Sequence, residues 1–239
     1  MSVDDNSGFS QVPLSFRVDV ELSFENFYWP EETAWLAALA ELAEGPEPQW
    51  IYLCGQSGCG VSHLLQAVAA AADRAGESCI YIDLEIAAGS APEDVLENIE
   101  QVALVCLDNI DKVAGRPAWE QALFSLLDQL RVAGRSRLLL GSHAVVNEMP
   151  VALADLRSRL AWCAVFQVPE LEDGEKAALL AFRAERLGLE LRQEVAEFLL
   201  NRCSRSLPEL MQTLQRLDRA ALVSQRRLTI PWIKQELGV

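Results

Sequence analysis

The stretch from Trp50 to Leu65 constrains this chain most, because it joins a hydrophobic run to a glycine-rich loop and then to a helical pattern. Gly55 and Gly60 frame the loop. Set against the phosphate-loop pattern G-x-x-x-x-G-K-[ST], both glycines and the hydroxyl of Ser62 are present, but Val61 stands where the lysine belongs. The order of elements predicts a strand, a tight loop and a helix.

Such a loop can hold a phosphate group, because glycine lets the backbone wrap around it and a helix N-terminus attracts an anion. The N–H donors would come from Gly58, Cys59, Gly60, Val61, Ser62 and His63. Without the lysine, a nucleoside triphosphate should bind less well relative to a diphosphate than in an ordinary phosphate-loop protein. Taken alone, the stretch also fits a tight strand-to-helix turn whose glycines are incidental.

The composition limits the class of protein. The chain has 239 residues, 51% hydrophobic and 23% charged, which is enough to bury a substantial core. Its formal net charge is −15, whereas surfaces that neutralise nucleic-acid phosphates are basic. Six cysteines without a C-x-x-C pair, and only two histidines, disfavour a zinc site and indicate buried thiols in a reducing compartment.

The first ten residues are polar and acidic, which predicts a flexible tail. They do not form a signal peptide, and no apolar run reaches membrane-spanning length, so we expect a cytoplasmic protein without membrane contact. The next segment, residues 11–16, contains Pro13, which favours extended backbone. This segment can dock Leu14 and Phe16 into a partner's pocket, but the residues alone favour an edge strand that buries both side chains.

An aromatic cluster, Phe24 to Trp29, precedes Pro30, whose residue type suits the first turn of a helix. Aromatic residues such as Phe24 and Phe27 usually belong to the core. Their place just before the phosphate-loop strand also allows them to wall an adenine pocket.

Three more apolar runs of strand length follow, at Cys79–Ile82, Val102–Leu107 and Arg137–Leu140. Helical patterns separate them, over 91–99 after a Ser90 cap and over 119–132. Strands that alternate with helices predict a parallel sheet with ligands at the carboxyl ends of its strands.

An acid, Asp108, ends the third of the four runs, where folds with a phosphate loop carry a carboxylate that coordinates Mg²⁺. Asp108 and Ser62 are therefore the candidate metal ligands, if magnesium is bound. Asn109 comes next, and its amide cannot accept a proton from an attacking water as a carboxylate would. The two imperfect motifs lie in the right order and at the right distance, so each supports the other.

Two arginines, Arg157 and Arg159, lie on a short predicted helix over Leu156–Leu160. Most surface arginines are simply solvated; the alternative is that Arg159 projects toward a nucleotide held by a neighbouring molecule. From Glu170 onward the pattern is all-helical, with amphipathic stretches over 172–187, 193–203, 207–225 and 230–237.

Together these features resemble the AAA+ ATPases, and among them the DnaA-related family, from roughly Phe24 to the C-terminus. Phe24-Glu-Asn-Phe27 is similar to the DnaA opening F-x-N-F, Leu107-Asp-Asn-Ile110 to its L-D-D-I motif, and 156–160 to its arginine-finger segment. The resemblance implies an α/β fold: an AAA+ P-loop domain with a parallel sheet flanked by helices, plus a small all-helical lid domain. The implied boundaries are a flexible tail with a clamp-binding motif over 1–22, the AAA+ domain over 23–168 and a four-helix lid over 169–239.

The chain looks most like the Hda-type regulatory inactivators of DnaA. That family has an N-terminal sliding-clamp motif, which Gln11, Leu14 and Phe16 match. The resemblance therefore favours docking of this segment into a partner over the edge strand. DnaA continues beyond its lid with a domain that reads DNA, and the sequence given stops before it. The resemblance implies DnaA and the beta subunit of the DNA polymerase III sliding clamp as partners, without sequence-specific DNA binding, and leaves a homo-oligomer open.

The resemblance also gives roles to individual residues. Arg159 would act as an arginine finger in trans, toward the ATP of DnaA. Pro208 stands where DnaA has its sensor-2 arginine, so Arg205 is the nearby candidate to replace it. The bound nucleotide, expected to be ADP or another nucleoside diphosphate, would contact the following residues: Phe24, Phe27, Gly55, Gly58, Cys59, Gly60, Val61, Ser62, His63, Asp108 and Arg205.

The expected function is that of an adaptor in a bacterial cytoplasm. It would link DnaA to the DNA-loaded sliding clamp, stimulate hydrolysis of DnaA-bound ATP and so inhibit re-initiation of replication, with weak or no hydrolysis of its own. The alternative is an autonomous weak AAA+ ATPase or a helicase-loader-like protein, which the missing lysine and acid disfavour. A DNA-binding initiator is disfavoured by the acidic net charge.

Overall fold

A computed structural model describes residues 22–224 and 227–238. Gln11, Leu14 and Phe16, the predicted clamp motif, lie outside these residues. Among the helices that are described, none is both long enough and apolar enough to cross a membrane.

A five-stranded parallel sheet organises the N-terminal part of the chain, in the order β2-β3-β4-β1-β5. The strands are β1 (Trp50–Cys54), β2 (Cys79–Asp83), β3 (Leu104–Asp108), β4 (Arg137–Ser142) and β5 (Ala164–Gln167). The register pairs Cys54 with Ser142 and Asp83 with Asp108, so several polar residues meet at the carboxyl edge of the sheet. The predicted parallel sheet is confirmed.

Six helices connect and cover the strands: α1 (Ala34–Glu44), α2 (Val61–Arg74), α3 (Leu84–Ala87), α4 (Pro92–Val95), α5 (Pro117–Ala133) and α6 (Ala154–Leu160). Successive strand side chains point to opposite faces. Ile51 and Leu53 therefore join a core cluster with α1 and α2, whereas Tyr52 and Cys54 join one with α5 and α6. The sheet thus has a hydrophobic core on each face.

Four further helices form the C-terminal part: α7 (Asp173–Arg186), α8 (Gln193–Arg202), α9 (Leu207–Ser224) and α10 (Ile230–Leu237). Their apolar faces bury a third core cluster, which includes Leu180, Leu199, Leu214 and Ile233. This cluster shares no residue with the two sheet clusters. The four predicted helices are confirmed, with ends shifted by a residue or two where they are described.

Two predicted helix starts are wrong. The first helix begins at Ala34, because the Thr33 hydroxyl accepts a hydrogen bond from the Leu36 N–H and caps the helix there, so Pro30 lies before it. The helix predicted over 91–99 is only the short α4, whose N-cap is Ala91 and not Ser90. Asn98 has a left-handed backbone with φ 61°, which stops the helix.

Strand β5 was not predicted from the sequence. β5 is four residues long and lies at the edge of the sheet beside β1, with most of its side chains exposed. The apolar stretch of this strand begins at Leu160, the last residue of α6, so the sequence pattern alone does not separate the strand from the helix. It matters because Val168, directly after it, donates its N–H to the Cys54 carbonyl at the entrance to the glycine loop.

Candidate functional site

A cavity of about 290 Å³ lies where the glycine loop, the aromatic N-terminal segment and the helices of the C-terminal part meet. Its lining comprises Leu22, Asn26, Phe27, Tyr28, Trp29, Gly58, Cys59, Gly60, His63, Leu171, Leu179, Arg183, Leu207, Pro208, Met211 and Gln215. Five of the predicted nucleotide contacts are therefore together at one cavity: Phe27, Gly58, Cys59, Gly60 and His63.

The loop has the backbone that its glycines predict. Gly58 and Gly60 have φ values of 86° and 101°, in the left-handed region that favours glycine. A Cβ on Gly60 would lie 2.7 Å from Cε2 of Phe27. The aromatic wall of the cavity, formed by Phe27, Tyr28 and Trp29, therefore packs on the loop through Phe27. The Cys59 N–H donates to the Gln56 carbonyl at 3.0 Å and is therefore used to close the loop itself.

The aromatic cluster serves both the core and the cavity. Phe27 packs edge-on against Trp35 of α1 and against His63 of α2, with ring centroids 6.2 and 5.3 Å apart. The His63 Nε2 lies 2.9 Å from the Ser23 carbonyl oxygen and ties the segment to α2. Phe24 packs against the same core but does not line the cavity. The predicted core role of this cluster is confirmed, while its role as the wall of an adenine pocket stays a prediction.

The remaining loop residues lie behind or beside the cavity. Val61 is 4% exposed and belongs to the core shared with α1, so the residue that replaces lysine is a packing residue. A Cβ on Gly55 would meet the Cys59 sulfur and the Val168 carbonyl oxygen, which explains a glycine at the end of β1. The Ser62 hydroxyl lies near enough to the Asp108 carboxylate, at the end of β3, to lower the pKa of that carboxyl group.

Asp108 is 1% exposed and held by a network at the carboxyl edge of the sheet. Its Oδ2 accepts from the Tyr81 hydroxyl at 2.8 Å, and its Oδ1 accepts from the Asn109 N–H at 2.9 Å. Burial raises the pKa of Asp108, while hydrogen bonds from Ser62, Tyr81 and the Asn109 N–H lower it, leaving it above its usual value. The two predicted metal candidates, Ser62 and Asp108, therefore lie near each other.

Asn109 is bound to the neighbouring strand. It is 5% exposed, with a left-handed φ of 59°, and its Nδ2 donates to Oδ1 of Asp83 at 2.9 Å. The same Asp83 oxygen accepts from the Glu85 N–H and caps α3. The Asn109 Oδ1 is buried without a hydrogen-bond partner among the described residues. An amide donor, which a carboxylate lacks, is thus built into this edge of the sheet.

Arg205 does not reach the cavity. Its Nη2 lies 3.7 Å from Oδ2 of Asp173, and both side chains are largely exposed. Pro208 does reach it, since a Cβ on Gly58 would lie 2.6 Å from Cδ of Pro208. The cation that lines the cavity from the helical part is Arg183 of α7, whose Nη1 donates to the Asn26 carbonyl at 3.4 Å. Helical periodicity predicted its helix but could not show which polar face meets the glycine loop.

Arg159 belongs to a separate surface cluster. Its Nε donates to Oδ1 of Asp128 at 2.7 Å, and its guanidinium lies over the rings of Trp162 and Phe124, 4.3 and 5.3 Å from their centroids. Arg131 stacks on the same Trp162 ring at 4.0 Å. We call Phe124, Asp128, Arg131, Arg159 and Trp162 the α5–α6 cluster. None of them lines the cavity described above.

Glu120 fixes the segment that leads into α6. It is 2% exposed and accepts hydrogen bonds from the N–H groups of Gly115, Ala152 and Leu153, at 2.7 to 3.1 Å. Burial acts to raise the pKa of Glu120, but these N–H donors, together with Arg157, outweigh it and hold the pKa below its usual value. Glu120 thereby positions the helix that carries Arg159.

The helical C-terminal part is similar to a known protein family. Residues 173–237, which contain α7 to α10, match the model described as "Hda, lid domain". The chain carries an Hda-type lid domain. Arg183, Pro208 and Arg205 all lie within this Hda-type lid, so the cavity is formed between it and the glycine loop.

Solved structures show the fold of the whole. Domain III of the Thermotoga maritima replication initiation protein DnaA matches with a TM-score of 0.78 at 18% identity, covering 92% of this chain and 97% of that one. AMPPCP-bound DnaA from Aquifex aeolicus matches with a TM-score of 0.71 at 21% identity, covering 83% of this chain and 65% of that one. The present chain thus spans less than two thirds of the Aquifex structure.

The fold is also similar to that of a protein other than DnaA. The Thermotoga maritima RuvB Holliday junction branch migration motor superposes with a TM-score of 0.67 at 15% identity, covering 90% of this chain and 71% of that one. At these identities the likeness is one of fold. The solved structures confirm the predicted AAA+ fold. Together with the lid match, they confirm the predicted resemblance to Hda-type, DnaA-related AAA+ proteins.

Proposed function

We propose that this protein is a regulatory adaptor of bacterial DNA replication that links DnaA to the DNA-loaded sliding clamp and stimulates hydrolysis of DnaA-bound ATP. The Hda-type lid and the DnaA-like AAA+ fold support a DnaA-related regulator. Contact with the clamp, stimulation of ATP hydrolysis and inhibition of re-initiation go beyond that support, and we propose them.

One observation carries the proposal. Val61, Asn109 and Pro208 stand at the positions where a hydrolytic site needs a lysine, an acid and an arginine, and of these three only Pro208 lines the cavity. Arg159, meanwhile, is presented in the α5–α6 cluster, away from that cavity. An arginine so placed can serve a nucleotide only if a second molecule brings it, and DnaA is the partner of matching fold.

The chain's own nucleotide would be a ligand rather than a substrate. The loop glycines, with φ values of 86° and 101°, and the aromatic wall fit a nucleoside phosphate, and so does the absence of carboxylates among the described lining residues. The nucleotide, ADP or another nucleoside diphosphate, would join the AAA+ domain (23–168) to the lid (169–239) and fix the angle between them. Ser62 and Asp108 would hold Mg²⁺ where the phosphates complete its coordination.

A reconstituted reaction tests the proposal. DnaA loaded with labelled ATP is mixed with the clamp loaded on DNA and with this protein, and conversion to ADP is followed over time. We expect fast conversion only when all three components are present. Equal conversion without this protein or without the clamp would refute the adaptor function. Steady ATP turnover by the isolated chain would instead favour the autonomous ATPase.

The nucleotide preference is a first prediction. ADP should bind at least as tightly as ATP, because the loop keeps its backbone donors while the lysine that contacts the outer phosphates is replaced by the buried Val61. Isothermal titration of the nucleotide-free protein with ADP, ATP and adenosine measures this directly. A strong preference for ATP would contradict it.

The clamp motif gives a second prediction. Replacing both Leu14 and Phe16 with alanine should weaken clamp binding by roughly ten- to a hundredfold, because truncated anchor side chains typically cost more than 1 kcal/mol each. Binding to immobilised clamp and a thermal melt should be measured on the same variant. A large drop in melting temperature would show that the two side chains belong to the core. Gln11 is expected to contribute as a polar anchor of the same motif.

A further inference from the structure

The charge around the cavity is opposite to that of the protein. The chain has 35 aspartate and glutamate residues against 20 lysine and arginine residues. None of the described residues that line the cavity is an acid, and one of them, Arg183, carries a guanidinium. A strongly acidic protein that keeps carboxylates out of one cavity and places an arginine there has a site suited to an anionic ligand.

The lid helix that would supply a cation in the related fold does not do so. The first turn of α9 presents Leu207 and Pro208 to the cavity, and the Pro208 ring packs on Gly58. Arg205, just before this helix, is exposed and pairs with Asp173 instead. A cation from the lid must therefore come from another helix, and α7 provides Arg183.

We propose that Arg183 is the lid residue that binds the phosphates of the nucleotide, in place of the arginine that α9 lacks. This inference rests on the proposed nucleotide site and adds its lid contact. Guanidinium offers five N–H donors in a planar fork that matches phosphate oxygens, and charge-assisted bonds of this kind are stronger than neutral ones. Arg183 is half-buried, so its charge is screened less than that of a fully exposed arginine.

Arg183 also connects the ligand to the aromatic wall. Its Nη1 donates to the carbonyl of Asn26, and the next turn of α7 adds a bond from Arg186 Nη1 to Oδ1 of Asn26 at 3.1 Å. Asn26 directly precedes Phe27, which packs on the glycine loop. The lid, the N-terminal segment and the phosphates would thus meet at one side chain, so nucleotide binding would hold the lid to the AAA+ domain.

Arg186 offers a matched control for the test. It lies one turn further along α7, bonds the same Asn26 and stacks over Phe182 at 5.2 Å, but it does not line the cavity. Arg183→Gln is the main variant, because its amide can still donate to the Asn26 carbonyl while the charge is lost. Arg183→Lys keeps the charge without the planar fork.

Calorimetric titration with ADP and with adenosine separates the phosphate contact from a role in the wall. We expect Arg183→Gln to bind ADP about ten- to a hundredfold more weakly than the wild type and adenosine within about twofold of it. Arg183→Lys should recover part of the ADP affinity, and Arg186→Ala should bind both ligands like the wild type.

Three results would overturn the assignment. Unchanged ADP binding by Arg183→Gln would exclude the phosphate contact. An equal loss for ADP and adenosine would show that Arg183 only holds the wall, and so would an equal loss of ADP affinity in Arg186→Ala. A wild-type protein that binds no ADP at all would refute the nucleotide site itself, and this outcome is recognised before any variant is made.

Discussion

Replacing Arg159 with alanine should remove most of the stimulation of DnaA's ATP hydrolysis, because an arginine finger supplied in trans is worth about 10³ to 10⁵ in rate. The side chain is 28% exposed and forms an ion pair with Asp128 on the surface. Such an exposed pair contributes at most about 1 kcal/mol, so the fold should survive its loss. The measurement is the rate of conversion of labelled ATP in the reconstituted reaction, with clamp binding and thermal stability as companion readouts.

The α5–α6 cluster supplies the control. Arg131 carries the same charge and stacks on the same Trp162 ring, so Arg131→Ala perturbs the same surface without removing the proposed finger. Arg157 is less suitable, because its Nη2 donates to the Val151 carbonyl and supports the segment before α6. Arg159→Lys should restore little, since a point charge does not reproduce the planar fork.

The outcomes separate three mechanisms. If only Arg159→Ala loses stimulation, the finger assignment stands. If Arg131→Ala loses it and Arg159→Ala keeps it, the wrong arginine has been chosen. If both variants stimulate like the wild type, the protein acts by rearranging DnaA's own site and supplies no group to the reaction.

Much of the fold could be predicted from local pattern. The four apolar runs became strands β1 to β4, because buried parallel strands need uninterrupted apolar sequence. The glycine loop followed because its left-handed backbone favours glycine over other residues. Strand β5 was missed because its apolar residues continue directly from those at the end of α6, with no turn residue between the two elements. The start of α1 was misplaced because a threonine cap outweighed the proline signal.

The site was predictable only where a motif fixes the backbone. Gly58, Gly60, Ser62 and Asp108 could be proposed as site residues because their spacing is tied to the loop and the strand end. The contact of Asn109 with Asp83 depends on which strands are neighbours and in what register, which the sequence does not state. Arg183 was missed for a related reason, because its role depends on how the lid docks on the loop.

Replacing Asn109 with aspartate should destabilise the protein instead of restoring hydrolysis. The Asn109 Nδ2 lies 2.9 Å from the Asp83 oxygen, so the substitution would bring two carboxylate oxygens together at that distance in a buried place. Like charges so close cannot both ionise without a large cost. We expect a loss on the order of 3 kcal/mol at pH 7, measured by urea denaturation.

The loss should depend on pH in a defined direction. In the folded variant the carboxyl group that stays protonated has a pKa raised above the unfolded value of about 3.9. Below that value both states hold the proton and the two proteins differ least. As pH rises, the unfolded state releases the proton before the folded state does, so the deficit grows until the raised pKa is passed. The difference in free energy of unfolding between the wild type and Asn109→Asp should therefore be larger at about pH 7.5 than at about pH 4.

Swapping the two residues separates the effect of paired charges from that of packing. Adding Asp83→Asn to Asn109→Asp returns one amide and one carboxylate to the same contact, and asparagine still caps α3 where Asp83 does now. The double variant should regain most of the lost stability, and its stability should vary with pH as that of the wild type does. A double variant as unstable as Asn109→Asp would show that the cost comes from packing and not from paired charges. ATP turnover by the stabilised double variant would contradict the proposal that Val61 and Pro208 also bar hydrolysis, because a single restored acid would then suffice.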